Sequence, residues 1–438
     1  MNNKTKSTFV RTNPTEILQA LVGLKDVRVL HYARNGPDVE LMIEQDMDSI
    51  CCPDCGARAH VKQRPVVSYI DLPVFGTPMH LGWKKHRMKC VNDSCARKSW
   101  VLEDHRIAAK SCLLTTRAAK WATRQVGYGR TVDEVAVELG CDWHTVNNAV
   151  ITYGNALLDA DRKRLNATTA IGLDETAFVK LRSKKAKDFA TTIADVANKS
   201  IIEVLSSRDY IEVAGWINKQ PDSWKSRIRY GALDMSATYS AVYSQMLPKA
   251  LQVVDPFHLV QLANRYLDAV RRRVQNEQLG HRGRKGDPLF RARRVLLTGE
   301  ERLDEDATAR LQSLLELGDP NGEVAIAYRV KERLRDFYAI DDIDQARSVL
   351  EELQHHCEKK SMPPELQQFA RTLKRWFDKI CNYHLAKVSN GPTEALNNLI
   401  KRIKRIAFGF RNFDNYRIRV LLYAGHPNWR VLGSIVVR

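Results

Sequence analysis

The spacing of hydrophobic and polar residues changes several times along the chain. Segments such as VVSYIDLPVF (66–75) and MHLGWKKHRMKC (79–90) have the composition of short strands. From 113 to about 151, apolar residues recur every three or four positions, which indicates helices. Strand patterns return at 168 and give way to a helical pattern over 261–384. These changes predict several domains of mixed α and β structure.

The segment 131–151 has the pattern of two short helices joined by a tight turn. Its first apolar stripe ends at Gly140, and a second helix is predicted to begin near His144. Thr131 and Glu134 form a capping-box pattern at the start of the first helix. This predicts a helix-turn-helix that enters a major groove, although a purely structural helical pair has the same pattern. The residues predicted to be exposed and to contact base edges are His144, Thr145, Asn147 and Asn148.

The segment from 168 to 260 has the element order β-β-β-α-β-α-β-α, which is the order of a ribonuclease-H-like fold. Asp174 lies near the end of the first strand and Asp234 at the end of the fourth. These strands are expected to be neighbours, so that the two carboxylates converge at one edge of the sheet. Oxygen ligands suit Mg²⁺ or Mn²⁺, and two such ions can activate water and stabilise a leaving oxygen.

A third carboxylate is predicted on the helix SNGPTEALNNLIKRIKRI, where Pro392 lies in the first turn. One face of this helix is apolar, and the opposite face carries Glu394, Asn398, Lys401 and Arg405. A carboxylate followed by an amide and two cations suits a metal ion and a phosphate backbone. Taken alone, the residues are more typical of an ordinary amphipathic surface helix with ion pairs.

Asp255 and His258 follow the last predicted strand, in Asp-Pro-Phe-His. One interpretation places both residues in the wall of the active site or against DNA. Another makes Asp255 a third metal ligand. A third makes it the N-cap of the helix that starts at Pro256.

The chain has 438 residues and a formal net charge of +18, which indicates a polyanionic partner. Residues 261–294 carry a net charge of +7 and residues 401–438 a net charge of +8, so that the basic residues are localised. The first window contains Arg271, Arg272 and Arg273, and the second contains Arg411. All four are predicted to contact DNA. In the second window Phe408, Phe410, Phe413 and Tyr416 are interleaved with cations, and they could pack in a core or stack on bases.

Five of the nine cysteines lie between 51 and 95. The odd total, and a first segment without an apolar core, favour a reducing cytoplasm over a disulfide framework. Cys52 and Cys55 have zinc-knuckle spacing, and Cys90 and Cys95 supply a second pair. Cys51 could replace Cys52, although the Cys-Pro-X-Cys-Gly frame favours Cys52. Four thiolate ligands leave no open position, so the predicted zinc is structural.

Six motifs resemble the insertion-sequence transposases of the ISL3 family, which have a DDE catalytic domain. In chain order the motifs are CPDCG, CVNDSC, the helix-turn-helix, IGLDETAF, ALDMSATYSAVYSQMLPKALQVVDPFHLV and SNGPTEALNNLIKRIKRIAFGFRNFDNYRIRVLL. They extend from about 50 to 425, nearly the whole chain. The resemblance implies a catalytic triad of Asp174, Asp234 and Glu394 that binds two Mg²⁺ or Mn²⁺ ions.

The same resemblance implies that a helical insertion interrupts the ribonuclease-H-like core. The expected domains are a zinc-binding module (1–110), the helix-turn-helix (111–165), the first part of the core (166–260), the insertion (261–384) and the completion of the core (385–438).

The expected function is binding of the terminal inverted repeats of an insertion sequence, followed by DNA cleavage and strand transfer in the bacterial cytoplasm, at the nucleoid. The expected partners are double-stranded DNA and at least one further copy of the chain, with no membrane. The alternatives are a zinc-containing DNA-binding regulator without catalysis, and a ribonuclease-H-like nuclease or resolvase.

Overall fold

Two units account for the chain in the computed structural model, which describes residues 13–36, 38–165, 167–180 and 187–437. Unit 1 comprises residues 1–164 and 401–438, and unit 2 comprises residues 165–400. The predicted boundary that joins 385–438 to the catalytic core stays a prediction. By contacts alone, the described residues from 401 onward belong to the same compact unit as those before 165.

Unit 1 begins with a helix and two small sheets. The elements are α1 (Pro14–Val22), β1 (Val27–Asn35), β2 (Asp38–Gln45), β3 (Ala59–Gln63), β4 (Val66–Val74), β5 (Thr77–Lys84), β6 (Arg87–Cys90) and β7 (Ser99–Val101). One sheet has the order β1-β2-β5-β4 and the other has the order β3-β6-β7. Ile43, Leu81 and Trp83 are buried in the core of the first sheet. The charges along its edge include Glu44, which bonds His86 at 2.9 Å and pairs with Arg64 at 3.2 Å.

Three helices follow: α2 (Thr116–Gly127), α3 (Val132–Leu139) and α4 (Trp143–Ala160). The predicted capping box is confirmed, because Thr131 and Glu134 each bond the other's backbone N–H. Gly140 ends α3 at φ 67°, a left-handed conformation that glycine adopts without steric cost. The side chain of Asp142 then caps α4.

Unit 2 contains a five-stranded sheet with the order β10-β9-β8-β11-β12. Its strands are β8 (Ala170–Lys180), β9 (Lys187–Asp195), β10 (Ser200–Leu205), β11 (Tyr230–Leu233) and β12 (Leu251–Val254), and its first helices are α5 (Tyr210–Asn218), α6 (Asp222–Lys225) and α7 (Ala237–Met246). β8, β9 and β10 pair antiparallel, whereas β11 pairs parallel with both β8 and β12. The predicted positions of the strands are confirmed.

The region predicted to be a helical insertion is helical in the structure. It contains α8 (Pro256–Leu279), α9 (Pro288–Ala292), α10 (Glu305–Gly318), α11 (Glu323–Phe337), α12 (Ile343–Glu358) and α13 (Pro364–Ala386). Their apolar faces continue the core of the sheet through residues such as Leu334, Leu350 and Phe369.

Two of the three arginines predicted to contact DNA in this region point inward. Arg271 is 5% exposed and pairs with Asp268 at 2.6 Å. Arg273 is held by Glu365 at 2.8 Å and by Glu323 at 2.5 Å. Both arginines therefore serve ion pairs inside unit 2. The prediction of DNA contact is corrected for them, whereas Arg272 has a side chain that is 66% exposed.

The chain ends with α14 (Gly391–Ile406) and α15 (Phe413–Ala424). Within unit 1, α15 packs against α4 and α2. The two helices can approach closely because Gly154 of α4 has no side chain. A Cβ at this position would lie only 2.9 Å from Ile418 and 3.2 Å from Leu422. None of the helices in the described part of the chain is long and apolar enough to cross a membrane.

Candidate active site and metal centres

Three aspartates lie at the same level on three adjacent strands of unit 2. Asp234 and Asp255 directly follow β11 and β12, whereas Asp174 lies within β8, which continues to Lys180 and so does not end near Asp174 as predicted. β8, β11 and β12 are aligned in register, with Leu173 opposite Leu233 and Leu233 opposite Val254. The next residue on each strand is therefore Asp174, Asp234 or Asp255. Adjacent strands lie about 4.8 Å apart, so the three carboxylates form a row along one edge of the sheet.

Burial and mutual repulsion make this row of carboxylates costly to ionise. The pKa of Asp234 is raised to about 6, mainly by desolvation; the His258 imidazole acts to lower it, and the charges of Asp174 and Glu175 act to raise it. Desolvation likewise raises the pKa of Asp174. Asp234 Oδ1 is buried and has no hydrogen-bond partner among the described residues. A positive charge at this edge would relieve both the repulsion and the unsatisfied oxygen.

The start of α14 is tied to the row by two hydrogen bonds. Asn397 donates from its side-chain amide to Asp174 Oδ2, and the backbone N–H of Asn390 donates to Asp255 Oδ1 at 3.1 Å. Gly172 on β8 permits this approach, because a Cβ there would lie 2.5 Å from Asn390 Oδ1. These contacts hold the first turns of α14 over residues 172–174 of β8.

Glu394 lies in the part of α14 that these bonds hold in place. Its charge acts on Asp255, whose pKa is raised first by burial and further by Glu394. The structure therefore brings Asp174, Asp234, Asp255 and Glu394 into one electrostatic cluster. The carboxylate oxygens of Asp174, Asp234 and Glu394 do not lie as close together as the ligands of one metal ion would. Among the described residues, only the cysteine cluster described below has three or more ligand atoms all within 4.8 Å of one another.

Asn390, Thr393 and Asn397 were not identified from the sequence. Asn390 directly precedes α14 and the other two lie on its inward side. All three are buried, and each has at least one polar side-chain atom without a partner among the described residues. Their spacing of three and then four residues is the signal that would have shown a polar stripe along one helix face. The sequence analysis used Asn398 instead, which is exposed.

Asp255 and His258 also lie at this site. Asp255 is 1% exposed and occupies the N-cap position of α8, although its side chain makes no capping hydrogen bond by the geometric criterion. His258 Nε2 lies 3.8 Å from Asp255 Oδ2, and the imidazole also acts electrostatically on Asp174 and Asp234. His258 is thus close enough to act on all three aspartates.

A separate metal centre lies in unit 1, where Cys52, Cys55, Cys90 and Cys95 come together with all four sulfur atoms within 4.8 Å of one another. The Sγ atoms of Cys52 and Cys95 are 3.8 Å apart, which matches the separation of about 3.8 Å expected for thiolates around tetrahedral zinc. Burial acts to raise the pKa of Cys52, but backbone N–H groups of Cys55 and Asp54 lower it to about 7. The cluster fits structural zinc, and Cys51 lies outside it.

The residues predicted to read bases on α4 differ in exposure. His144 and Asn148 are exposed, and the hydroxyl of Thr145 is engaged by Asp142 at 2.7 Å. Asn147 is 6% exposed and donates to Asn415 of α15 at 3.2 Å. Asn147 therefore packs between helices, and its prediction as a base-reading residue is corrected.

The remaining cations predicted to contact DNA are accessible. Lys401 and Arg405 are exposed on α14, and Arg411 is exposed in the loop that follows it. Phe410 and Phe413 pack against the buried ring of Tyr416, at centroid distances of 5.4 and 6.0 Å. Of the two predicted alternatives, core packing or base stacking, these three rings therefore adopt core packing.

The chain is similar to known proteins over most of its length. Residues 171–420 match the model of a DDE family, ISL3, described as "Transposase", and residues 48–106 match a zinc-finger family of the transposases IS204, IS1001, IS1096 and IS1165. The transposase for insertion sequence element IS1001 of Bordetella parapertussis is 24% identical over 393 residues, which cover 88% of this chain and 91% of the relative. The transposase for element IS1557 of Mycobacterium tuberculosis is 25% identical over 349 residues, covering 71% of this chain and 76% of the relative.

Proposed function

This chain belongs to the ISL3 family of DDE transposases, and we propose that it binds the terminal inverted repeats of an insertion sequence and catalyses metal-dependent cleavage and transfer of their strands. The observation that carries the proposal is the in-register row of Asp174, Asp234 and Asp255, over which the Glu394 helix is tied by Asn390 and Asn397. The triad proposed to act is Asp174, Asp234 and Glu394.

The fold proposed for the catalytic unit is ribonuclease-H-like. Three antiparallel strands followed by two parallel strands, with the order β10-β9-β8-β11-β12, support it. The pair α3–α4 is proposed as the helix-turn-helix that contacts the transposon end. The exposed side chains of His144 and Asn148 on α4 support that assignment.

The carboxylate row is suited to divalent metal ions. The donor atoms are all oxygens, and the charges repel one another. Two of these oxygens, Asp234 Oδ1 and Asp255 Oδ2, are buried without a hydrogen-bond partner among the described residues. We assign Asp174, Asp234 and Glu394 as the residues that hold two Mg²⁺ or Mn²⁺ ions. Such ions supply Lewis-acid stabilisation of the scissile phosphate and lower the pKa of an attacking water or 3′ hydroxyl.

The surrounding residues position the carboxylates. Asn397 donates to Oδ2 of Asp174 and the backbone N–H of Glu175 donates to Oδ1 at 2.7 Å, so that both oxygens are oriented. Asp255 anchors the start of α14 through the N–H of Asn390, and so sets where Glu394 lies. The exposed cations Lys401, Arg405 and Arg411 are proposed to bind phosphates, with a second copy of the chain bound at the other end of the element.

The proposal is tested by incubating a labelled duplex of the element's own end with the protein and Mg²⁺ or Mn²⁺. Asp234→Asn removes one carboxylate of the triad, and Asp222→Asn is the matched control, because its carboxylate is 98% exposed at the start of α6. We expect cleavage by the wild type and the control, and none by Asp234→Asn, with end binding retained by all three proteins.

Binding by all three proteins without cleavage by any would favour the regulator. Cleavage without any joining of the freed 3′ end to a second DNA would favour a ribonuclease-H-like nuclease or resolvase.

A further inference from the structure

Phe408 is almost fully exposed, at 97%, and lies directly after α14 in unit 1. Its φ is 52°, the left-handed region that is unfavourable for a residue with a bulky side chain. The backbone N–H of Gly409 bonds Lys404 O at 2.8 Å, and the N–H of Phe408 bonds Arg405 O at 3.0 Å. These bonds form a Schellman motif in which Phe408 occupies the position that glycine usually takes.

Neither helix termination nor the core explains a phenylalanine at this position. Glycine would end α14 with less strain, and the neighbouring rings of Phe410 and Phe413 are already packed on Tyr416. An aromatic ring held out into solvent in a strained conformation is typical of a functional contact.

The surroundings of Phe408 favour a nucleic acid as its partner. The loop 405–412 lines a groove of about 780 Å³, together with the start of α3 and with Trp143. Arg405 and Arg411 are exposed on either side of Phe408. Arg419 lines the groove, is 5% exposed, and has a buried Nε that no described residue satisfies.

Arg419 lacks a counter-charge. Among the described residues, no carboxylate pairs with it, and its nearest polar contact is the carbonyl of Arg130 at 3.4 Å. Burial lowers its pKa to about 10, so it stays charged at neutral pH. Asp133 and Glu134 also line the groove, but neither is paired with Arg419. The arginine is therefore available to an anion, and the backbone of DNA supplies phosphates next to stackable bases.

We propose that Phe408 inserts its ring against a base of the bound duplex and unstacks it from its neighbour, while Arg405, Arg411 and Arg419 attract the flanking phosphates. The inference rests on the proposed function, because it assigns a base-unstacking residue to a DNA-binding unit. Ring insertion of this kind kinks or opens DNA at the step that receives it.

Phe75 provides a matched control within the same unit. It is also fully exposed, has φ 51°, and precedes a glycine in the turn between β4 and β5. Residues 65–83 contain no lysine or arginine, so this second ring lacks the basic surroundings of the first. Phe408→Gly and Phe75→Gly each place the preferred residue in a left-handed turn, so both variants are expected to fold.

The experiment measures binding of the full chain to a duplex that spans the element's end, together with permanganate oxidation of its thymines, which reports unstacking. We expect the wild type and Phe75→Gly to expose reactive thymines at one step, and Phe408→Gly to lose that reactivity and to bind about 5- to 150-fold more weakly. Phe408→Trp should retain both properties.

Unchanged affinity and reactivity in Phe408→Gly would overturn the inference, as would an effect confined to self-association of the chain. A wild type that binds the duplex and cleaves it without unstacking any thymine would overturn the inference and leave the proposed function standing. A wild type that binds no end duplex would overturn both.

Discussion

Replacement of Arg273 is predicted to destabilise unit 2 and to leave DNA binding unchanged. The guanidinium donates to both carboxylate oxygens of Glu365, to Glu323 at 2.5 Å and to Glu277 at 3.1 Å. It therefore links α8 to α11 and α13. Arg273→Met retains most of the aliphatic side chain but removes the charge. Glu323 and Glu365, whose side chains are 23% and 16% exposed, then face each other without a cation.

The magnitude follows from this partial burial. Removing one partner of a fully buried pair costs about 3–5 kcal/mol, and removing one of an exposed pair costs about 0.2–1 kcal/mol. The side chain of Arg273 is 25% exposed, so we place the loss at about 2 kcal/mol. In a unit of this size that loss lowers the melting temperature by about 4–8 °C.

Thermal denaturation and DNA-binding anisotropy together test this prediction, with Arg272→Met as the control. The Arg272 side chain is 66% exposed, so its replacement should cost less than about 0.5 kcal/mol. If Arg273→Met melted with the wild type and weakened DNA binding as much as Arg272→Met, the ion-pair assignment would be refuted and the original DNA-contact prediction would stand.

Three further predictions concern the zinc centre, the charges of unit 1 and the active site. Cys55→Ser should lose the one zinc per chain that a colorimetric metal assay detects, whereas Cys51→Ser should keep it; equal zinc in both would contradict the ligand set. Burial acts to raise the pKa of Glu44, but the cationic side chains around it lower that pKa overall. The ionised Glu44 carboxylate therefore stabilises the fold above about pH 4.3, and this stabilisation is lost as the pH falls through the lowered pKa. The difference in melting temperature between the wild type and Glu44→Gln should therefore shrink in acid, and a difference independent of pH would disprove this. Asn397→Ala should slow cleavage about 10- to 100-fold at unchanged DNA affinity, whereas Asn398→Ala should weaken DNA binding instead. Weaker binding by Asn397→Ala together with slower cleavage by Asn398→Ala would contradict the roles assigned to the two residues.

The strands and their terminal carboxylates were predictable because they depend on local patterns. Short apolar runs between turns fix β8, β11 and β12, and parallel strands bring their carboxyl ends to one edge. The two cysteine pairs were predictable for the same reason, since each pair lies within one loop and its spacing reports the metal geometry.

Positions that depend on distant partners were not predictable. Arg273 looks like its neighbour Arg272 in the sequence, but its partner Glu365 lies 92 residues away. Asn147 was assigned to the exposed side of α4 because nothing nearby indicates that α15 covers it. Asn397 and Asn398 are adjacent and chemically identical, and only the rotation of α14 on the sheet decides which one meets Asp174.

Joining of a pre-cut transposon end to a target plasmid tests most directly whether Asp174, Asp234 and Glu394 form one active site. We predict metal-dependent joining by the wild type and by Asp222→Asn. We predict no joining by Asp174→Asn, Asp234→Asn or Glu394→Gln, each of which should still bind the end. Joining by any one of these three variants at the wild-type rate would contradict the account.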